Sequence, residues 1–113
     1  MLELSDHKRD EVRVVSLDGK LEVLSSKTLL ERLNTLIDGG ERRVLLECSR
    51  LEYISSSGLR VVLMAAQRLE QLGGKLVLAG LSGPIRRIFN VAGFTSILTI
   101  CDSLEAALEA VRQ

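Results

Sequence analysis

From Arg43 onward, short continuous apolar runs alternate with helix-period segments, and this alternation constrains the fold more than any other feature of the chain. Arg43–Cys48 holds the run Val44 to Leu46, Lys75–Ala79 is a second run and Ile97–Ile100 a third. The first two suit strands covered on both faces, and the third is expected as a last short strand. Between the first two, Leu59, Val62, Leu63, Ala66 and Leu69 fall on one broad stripe at about 100° per residue, and Gly73-Gly74 closes that helix. Ser82-Gly83-Pro84 opens a short helix, with proline where its missing N–H costs nothing. Ile85, Ile88, Phe89 and Ala92 give its inner face, and Gly93 its stop. Asp102, with Glu105 three residues on, has the pattern of a capping box for a last helix striped by Leu104, Ala107, Leu108 and Val111. Strand–helix alternation implies right-handed crossovers and a largely parallel sheet.

The first forty residues add a different element. Residues 2–8 and 12–18 predict a hairpin split by the charged Lys8–Glu11 patch, with Asp18-Gly19 ending its second strand. Ser25 or Ser26 then opens a helix carrying Leu29, Leu30, Leu33, Leu36 and Ile37, and Gly39-Gly40 stops it. The expected fold is α/β: a mixed sheet of four or five strands flanked by four helices. At 113 residues the chain is expected to form one domain.

Composition narrows the function. Fifteen basic residues balance fifteen acidic ones, which argues against a nucleic-acid backbone as partner. Three aromatics (Tyr53, Phe89, Phe94) cannot build a base-stacking platform. No apolar run approaches the roughly 20 residues of a membrane span, and Glu3, Asp6 and Lys8 break up any signal-peptide core. Cys48 and Cys101 lie in or beside apolar segments, as buried thiols of a cytoplasmic protein do. A single His7 leaves no histidine zinc site and no usable base for a triad. Neither glycine-rich nucleotide loop is present, and Ile54 stands where a serine nucleophile elbow at Ser56 needs glycine. The expectation is a binding protein without cofactor or metal, not an enzyme, with no direct membrane insertion.

The candidate site is Ser55-Ser56-Ser57-Gly58, between the strand and the clearest helix. Ser56 or Ser57 there is expected as an N-cap, accepting from first-turn N–H groups. The same position suits a negative charge, including a phosphate on serine, and the two uses are compatible. The site falls at the carboxyl edge of the sheet, where α/β folds place ligands. Val61, Met64 and Arg68 are expected opposite the helix's core stripe. Such an outward apolar pair is either covered by a neighbouring element or part of a partner surface.

The run Leu51-Glu52-Tyr53-Ile54-Ser55-Ser56-Ser57-Gly58-Leu59 resembles the signature of the STAS domain, the fold of bacterial anti-sigma-factor antagonists and of sulfate-transporter tails. Gly19-Lys20-Leu21-Glu22, Leu46-Glu47-Cys48-Ser49, Lys75-Leu76-Val77-Leu78, the Ile85–Phe89 segment, Gly93-Phe94 and Ser103 to Leu108 match in order, so the resemblance covers residues 12 to 111. It implies a sheet flanked on one side by helices. It also implies a partner that is an anti-sigma factor with serine kinase activity, whose phosphorylation of the antagonist ends binding, and a phosphatase that restores it. The matching phosphoacceptor is Ser56, with Ser57 as second choice. Glu22, Ser55, Ser56, Ser57, Gly58, Val61 and Met64 are the expected partner-binding residues. Three positions depart from the family pattern: Glu22 and Glu47 replace Asp and keep the charge, while Ser55 replaces Asp and loses it. That loss favours the alternative of a non-phosphorylated STAS module serving as a subunit of a signalling scaffold or membrane transport complex.

Overall fold

The computed structural model describes residues 1–94 and 97–113. Two strands come first, β1 (Leu2–Arg9) and β2 (Val12–Leu21), followed by α1 (Val23–Asp38). Then come β3 (Arg43–Ile54), α2 (Ser56–Gln71), β4 (Lys75–Ala79), α3 (Gly83–Val91), β5 (Thr99–Cys101) and α4 (Leu104–Arg112). The five strands lie in the order β1-β2-β3-β4-β5. β1 pairs antiparallel with β2, and every other pairing is parallel. The expected mixed sheet with four helices is therefore present. Asp10 and Glu11, both at positive φ, form the two-residue turn of the hairpin, the turn hand that suits the twist of paired strands.

Strand alternation sends side chains to two cores. On one face Val15, Leu17, Val44, Leu46, Cys48 and Leu78 pack with Leu29, Leu33, Val62, Leu69 and Phe89 from α1, α2 and α3. On the other, Val12, Val14, Leu45, Val77 and Ala79 pack with Ala107, Leu108 and Val111 of α4. Helices thus cover both faces, which corrects the one-sided arrangement implied by the resemblance. The physical cause lies in the central strands: Leu45 and Val77 alternate with inward residues of the first core, and their apolar side chains need a cover of their own.

Several boundaries differ from expectation. β3 runs on to Ile54, because Leu51 and Ile54 are buried and the segment continues pairing with β2 as far as Leu21↔Ile54. Correspondingly β2 does not end at Asp18-Gly19; it absorbs register shifts between Ser16 and Asp18 and between Gly19 and Lys20 and continues to Leu21. α1 starts at Val23 with Glu22 as N-cap, two residues ahead of the expected serine. Ser25 still serves that helix start, but as the third helical residue: its Oγ accepts the Glu22 N–H at 2.8 Å and donates to the Lys20 carbonyl at 3.0 Å. In α3 only Ile85 and Phe89 are buried, whereas Ile88 and Ala92 are exposed, since this two-turn helix touches the core along one narrow edge. The last strand is Thr99–Cys101, and Ser103 rather than Asp102 caps α4, accepting the Ala106 N–H at 3.1 Å. Among the described residues, no helix is long and apolar enough to cross a membrane.

Candidate functional site

The parallel pairing of β2 and β3 brings their carboxyl ends side by side, so the β2–α1 and β3–α2 junctions form one surface. The Ser55 N–H donates to the Leu21 carbonyl at 2.9 Å and locks the two junctions together. Ser55, and not the expected Ser56 or Ser57, also caps α2, its Oγ accepting the Gly58 N–H at 3.2 Å, while its carbonyl accepts the Leu59 N–H. Gly58 is buried, and a side chain there would collide with Ile54 and Leu21. Glycine at this position lets the first turn of α2 lie directly on the corner where β2 and β3 end.

The remaining serines are placed differently. Ser56, the first helical residue, is exposed, and its hydroxyl holds no partner among the described residues. Ser57 is half-buried. Ser56, Arg60, Met64 and Gln67 are all exposed and follow one another at helical spacing, forming the outer stripe of α2.

Val61 is the correction on this helix. It is only 6% exposed and belongs to the core with Val62, Ala65 and Leu69, so it does not lie on the outer face with Met64. The core stripe is rotated from the expected one: its buried residues are Gly58, Val61, Val62, Ala65 and Leu69, with Gly58 set against Ile54 and Leu21. Leu59 and Leu63, whose bulk suggested a core position, are half-buried at its flank.

Beside Ser55 lies a groove of about 500 Å³ that takes in Glu22, Val23, Leu24, Tyr53 and Met1. Its apolar walls face solvent: Leu24 is 81% exposed, Val23 67% and Tyr53 48%. Glu22 is exposed at its rim. Sequence reasoning missed Val23, Leu24 and Tyr53. A signal did exist, since Val23 directly follows an acidic residue and Leu24 stands off the stripe that Leu29, Leu33 and Ile37 define.

Other candidate groups are elsewhere or occupied. Glu47 lines a different depression with Glu3, Ser16, Asp18 and Arg50, and its Oε1 accepts the Ser49 N–H at 2.9 Å. Arg86 is engaged by Asp102 at 2.6 Å. Burial pushes the Cys48 thiol far up, with the Glu47 charge adding to it, so this sulfur stays protonated and inert. Among the described residues, no three His, Cys, Asp or Glu side chains are grouped to hold a metal.

The family model for the STAS domain matches residues 3–107. This chain is a STAS domain. It belongs with the anti-sigma factor antagonists of that family. BtrV of Bordetella bronchiseptica, by name a candidate anti-sigma factor antagonist, is 40% identical over 111 residues, spanning 98% of this chain and 96% of BtrV. The anti-sigma-B factor antagonist of Bacillus subtilis is 29% identical over 96 residues, 84% of this chain and 86% of that one. Among solved structures, an anti-sigma factor antagonist from Mycobacterium paratuberculosis superposes with a TM-score of 0.92 at 19% identity, covering 100% of this chain and 96% of that one. The Bacillus cell fate determinant SpoIIAA in its phosphorylated form gives 0.75 at 24% identity, covering 98% and 99%. In this STAS domain the junction built by Leu21, Ser55 and Gly58 carries the hydroxyl cluster.

Proposed function

We propose that this STAS domain is a cytoplasmic anti-sigma-factor antagonist, a binding module and not an enzyme. It captures an anti-sigma factor with serine kinase activity on the surface formed by Glu22, the Ser55–Gly58 edge and the outer stripe of α2 through Met64. Phosphorylation of Ser56 ends that binding, and a phosphatase restores it. The observation that carries this reading is the division of labour among the serines. Ser55 caps the helix, so the exposed Ser56 hydroxyl has no structural task and is open to modification.

The energetics suit a switch. A phosphate adds about −1.5 to −2 charge at a helix start, where its own protein tolerates it. A partner closed over the neutral edge would have to bury that charge with no group of its own to meet it, at about 3–5 kcal/mol, or about two to four decades of affinity. Incubation with the cognate kinase and ATP should add one phosphate, and Ser56→Ala should abolish it. A phosphate that persists in Ser56→Ala but vanishes in Ser57→Ala moves the acceptor by one residue. No phosphate on the protein from its native cell, by mass spectrometry, removes the switch.

A second function, that of a non-switched module in a signalling scaffold or membrane transport complex, is favoured by Ser55 standing where the family carries Asp. Stable association with a large assembly, indifferent to Ser56→Asp, would select it over the first.

A further inference from the structure

Arg60 follows Ser56 by four residues on α2, and both are exposed. That spacing sets their Cβ atoms about 5–6 Å apart on one face. Arg13, Arg32, Arg68, Arg86 and Arg112 each hold a carboxylate. Arg60 holds no partner among the described residues. The first turn of α2 carries no acidic residue, so the side chains three and four positions before Arg60 are the hydroxyls of Ser57 and Ser56. An unengaged guanidinium thus stands one turn from an unengaged hydroxyl, with no carboxylate on that turn to compete for it.

We infer that Arg60 is a built-in counter-ion for a phosphate on Ser56: on modification the guanidinium folds back along the helix and pairs with the phosphate oxygens. This rests on Ser56 being the phosphoacceptor and adds how the modified state is held. Guanidinium and phosphate match in geometry, two N–H donors meeting two oxygens. An acid four residues ahead of a base is the favoured order on a helix. Two features of the outer stripe then change together. A hydroxyl becomes a phosphate, and the cation lying between Ser56 and Met64 is withdrawn from any partner that met it with an acidic group. A phosphate already paired within its own helix also gains less from a cation that a partner offers.

The test installs phosphoserine at position 56 by semisynthesis, so no kinase is needed, and follows its second ionisation by phosphorus NMR. Unrestrained phosphoserine titrates near pH 6. In the otherwise unaltered protein at low salt the midpoint should fall by about 0.3 unit or more. Arg60→Gln should return it, Arg60→Lys should keep part of the shift, and about 0.5 M salt should shrink it. Arg60 is exposed, so circular dichroism should show the same fold in each variant. Equal midpoints with and without Arg60 overturn the inference and leave Ser56 as acceptor untouched. Failure of the cognate kinase to modify Ser56 removes the functional reading and does not alter the titration.

Discussion

The Ser55 N–H reaches the Leu21 carbonyl across 2.9 Å, which binds the start of α2 to the end of β2. Because Ser55 makes this bond with its backbone and caps the helix with its Oγ, the structural role falls on Ser55 and the neighbouring Ser56 hydroxyl is left unengaged among the described residues. Ser55→Ala should lower stability by about 1 kcal/mol through loss of the cap. Ser56→Ala, which breaks no bond within the protein, should stay within about 0.5 kcal/mol. Urea midpoints measure both, and equal losses would show that Ser56 shares the cap.

Gly58 sets how closely the helix approaches that corner. A Cβ there would lie 2.8 Å from Ile54 Cγ1 and 2.8 Å from Leu21 Cδ2, both on buried side chains. Overpacking costs about 1–3 kcal/mol, against about 1 kcal/mol returned by replacing glycine within a helix. Gly58→Ala should therefore be destabilising by about 1 kcal/mol, with amide shifts at Leu21 and Ser55. A more stable variant would mean that the corner has slack.

The sheet and its helices were legible because Val44–Leu46 and Lys75–Ala79 are continuous apolar runs and glycines mark the helix ends. The length of β3 was not. Ser49, Arg50, Glu52 and Tyr53 look like a loop, yet they alternate with or flank the buried Leu51 and Ile54 in a strand whose outer face is open. The serine cluster was visible as a helix start, since its chemistry is local. Its apolar neighbours were not, because Leu24 and Tyr53 come together only through the β2–β3 pairing. On α2, bulk misled: Leu63 is the larger side chain, yet Ala65 is the one buried in the core.

That rotation of α2 makes a direct comparison. Val61→Ala removes two methyl groups from a site 6% exposed and should cost about 1–3 kcal/mol. Met64→Ala, at 46% exposure, should change stability by less than about 0.5 kcal/mol. Denaturant unfolding of the two variants side by side checks the assignment; a larger loss at Met64 would restore the opposite helix face as the core.

Glu41 gives the fold a pH dependence. Burial alone would raise its carboxyl, but hydrogen bonds from Lys8 and Arg13, together with their charges, outweigh burial and hold it below the usual carboxylate range. A lowered folded value stabilises the protein above the unfolded value, about pH 4, and that gain is lost as the pH falls through the folded one. Glu41→Gln should thus be less stable than the parent at pH 7 by about 0.5–1 kcal/mol, and the difference should close at acid pH. Thermal melts across the range would reveal it, and a gap that widened on acidification would contradict the assigned direction.

The groove beside Ser55 supplies the last test, because its apolar walls cost the free protein little to change. Leu24 and Tyr53 are largely exposed, so Leu24→Asp and Tyr53→Ala should leave the melting behaviour unaltered. At an interface, however, tyrosine and an apolar anchor carry a disproportionate share of the energy. Each variant should weaken capture of the anti-sigma factor by about tenfold or more, equivalent to about 1.4 kcal/mol, in calorimetric titration. If affinity held while the melts also held, the partner would have to grip another apolar surface, and the one formed by Ile88 and Val91 on α3 would be the next to alter. If only Leu24→Asp lost binding, the β2–α1 junction would carry the contact and Tyr53 would be its rim.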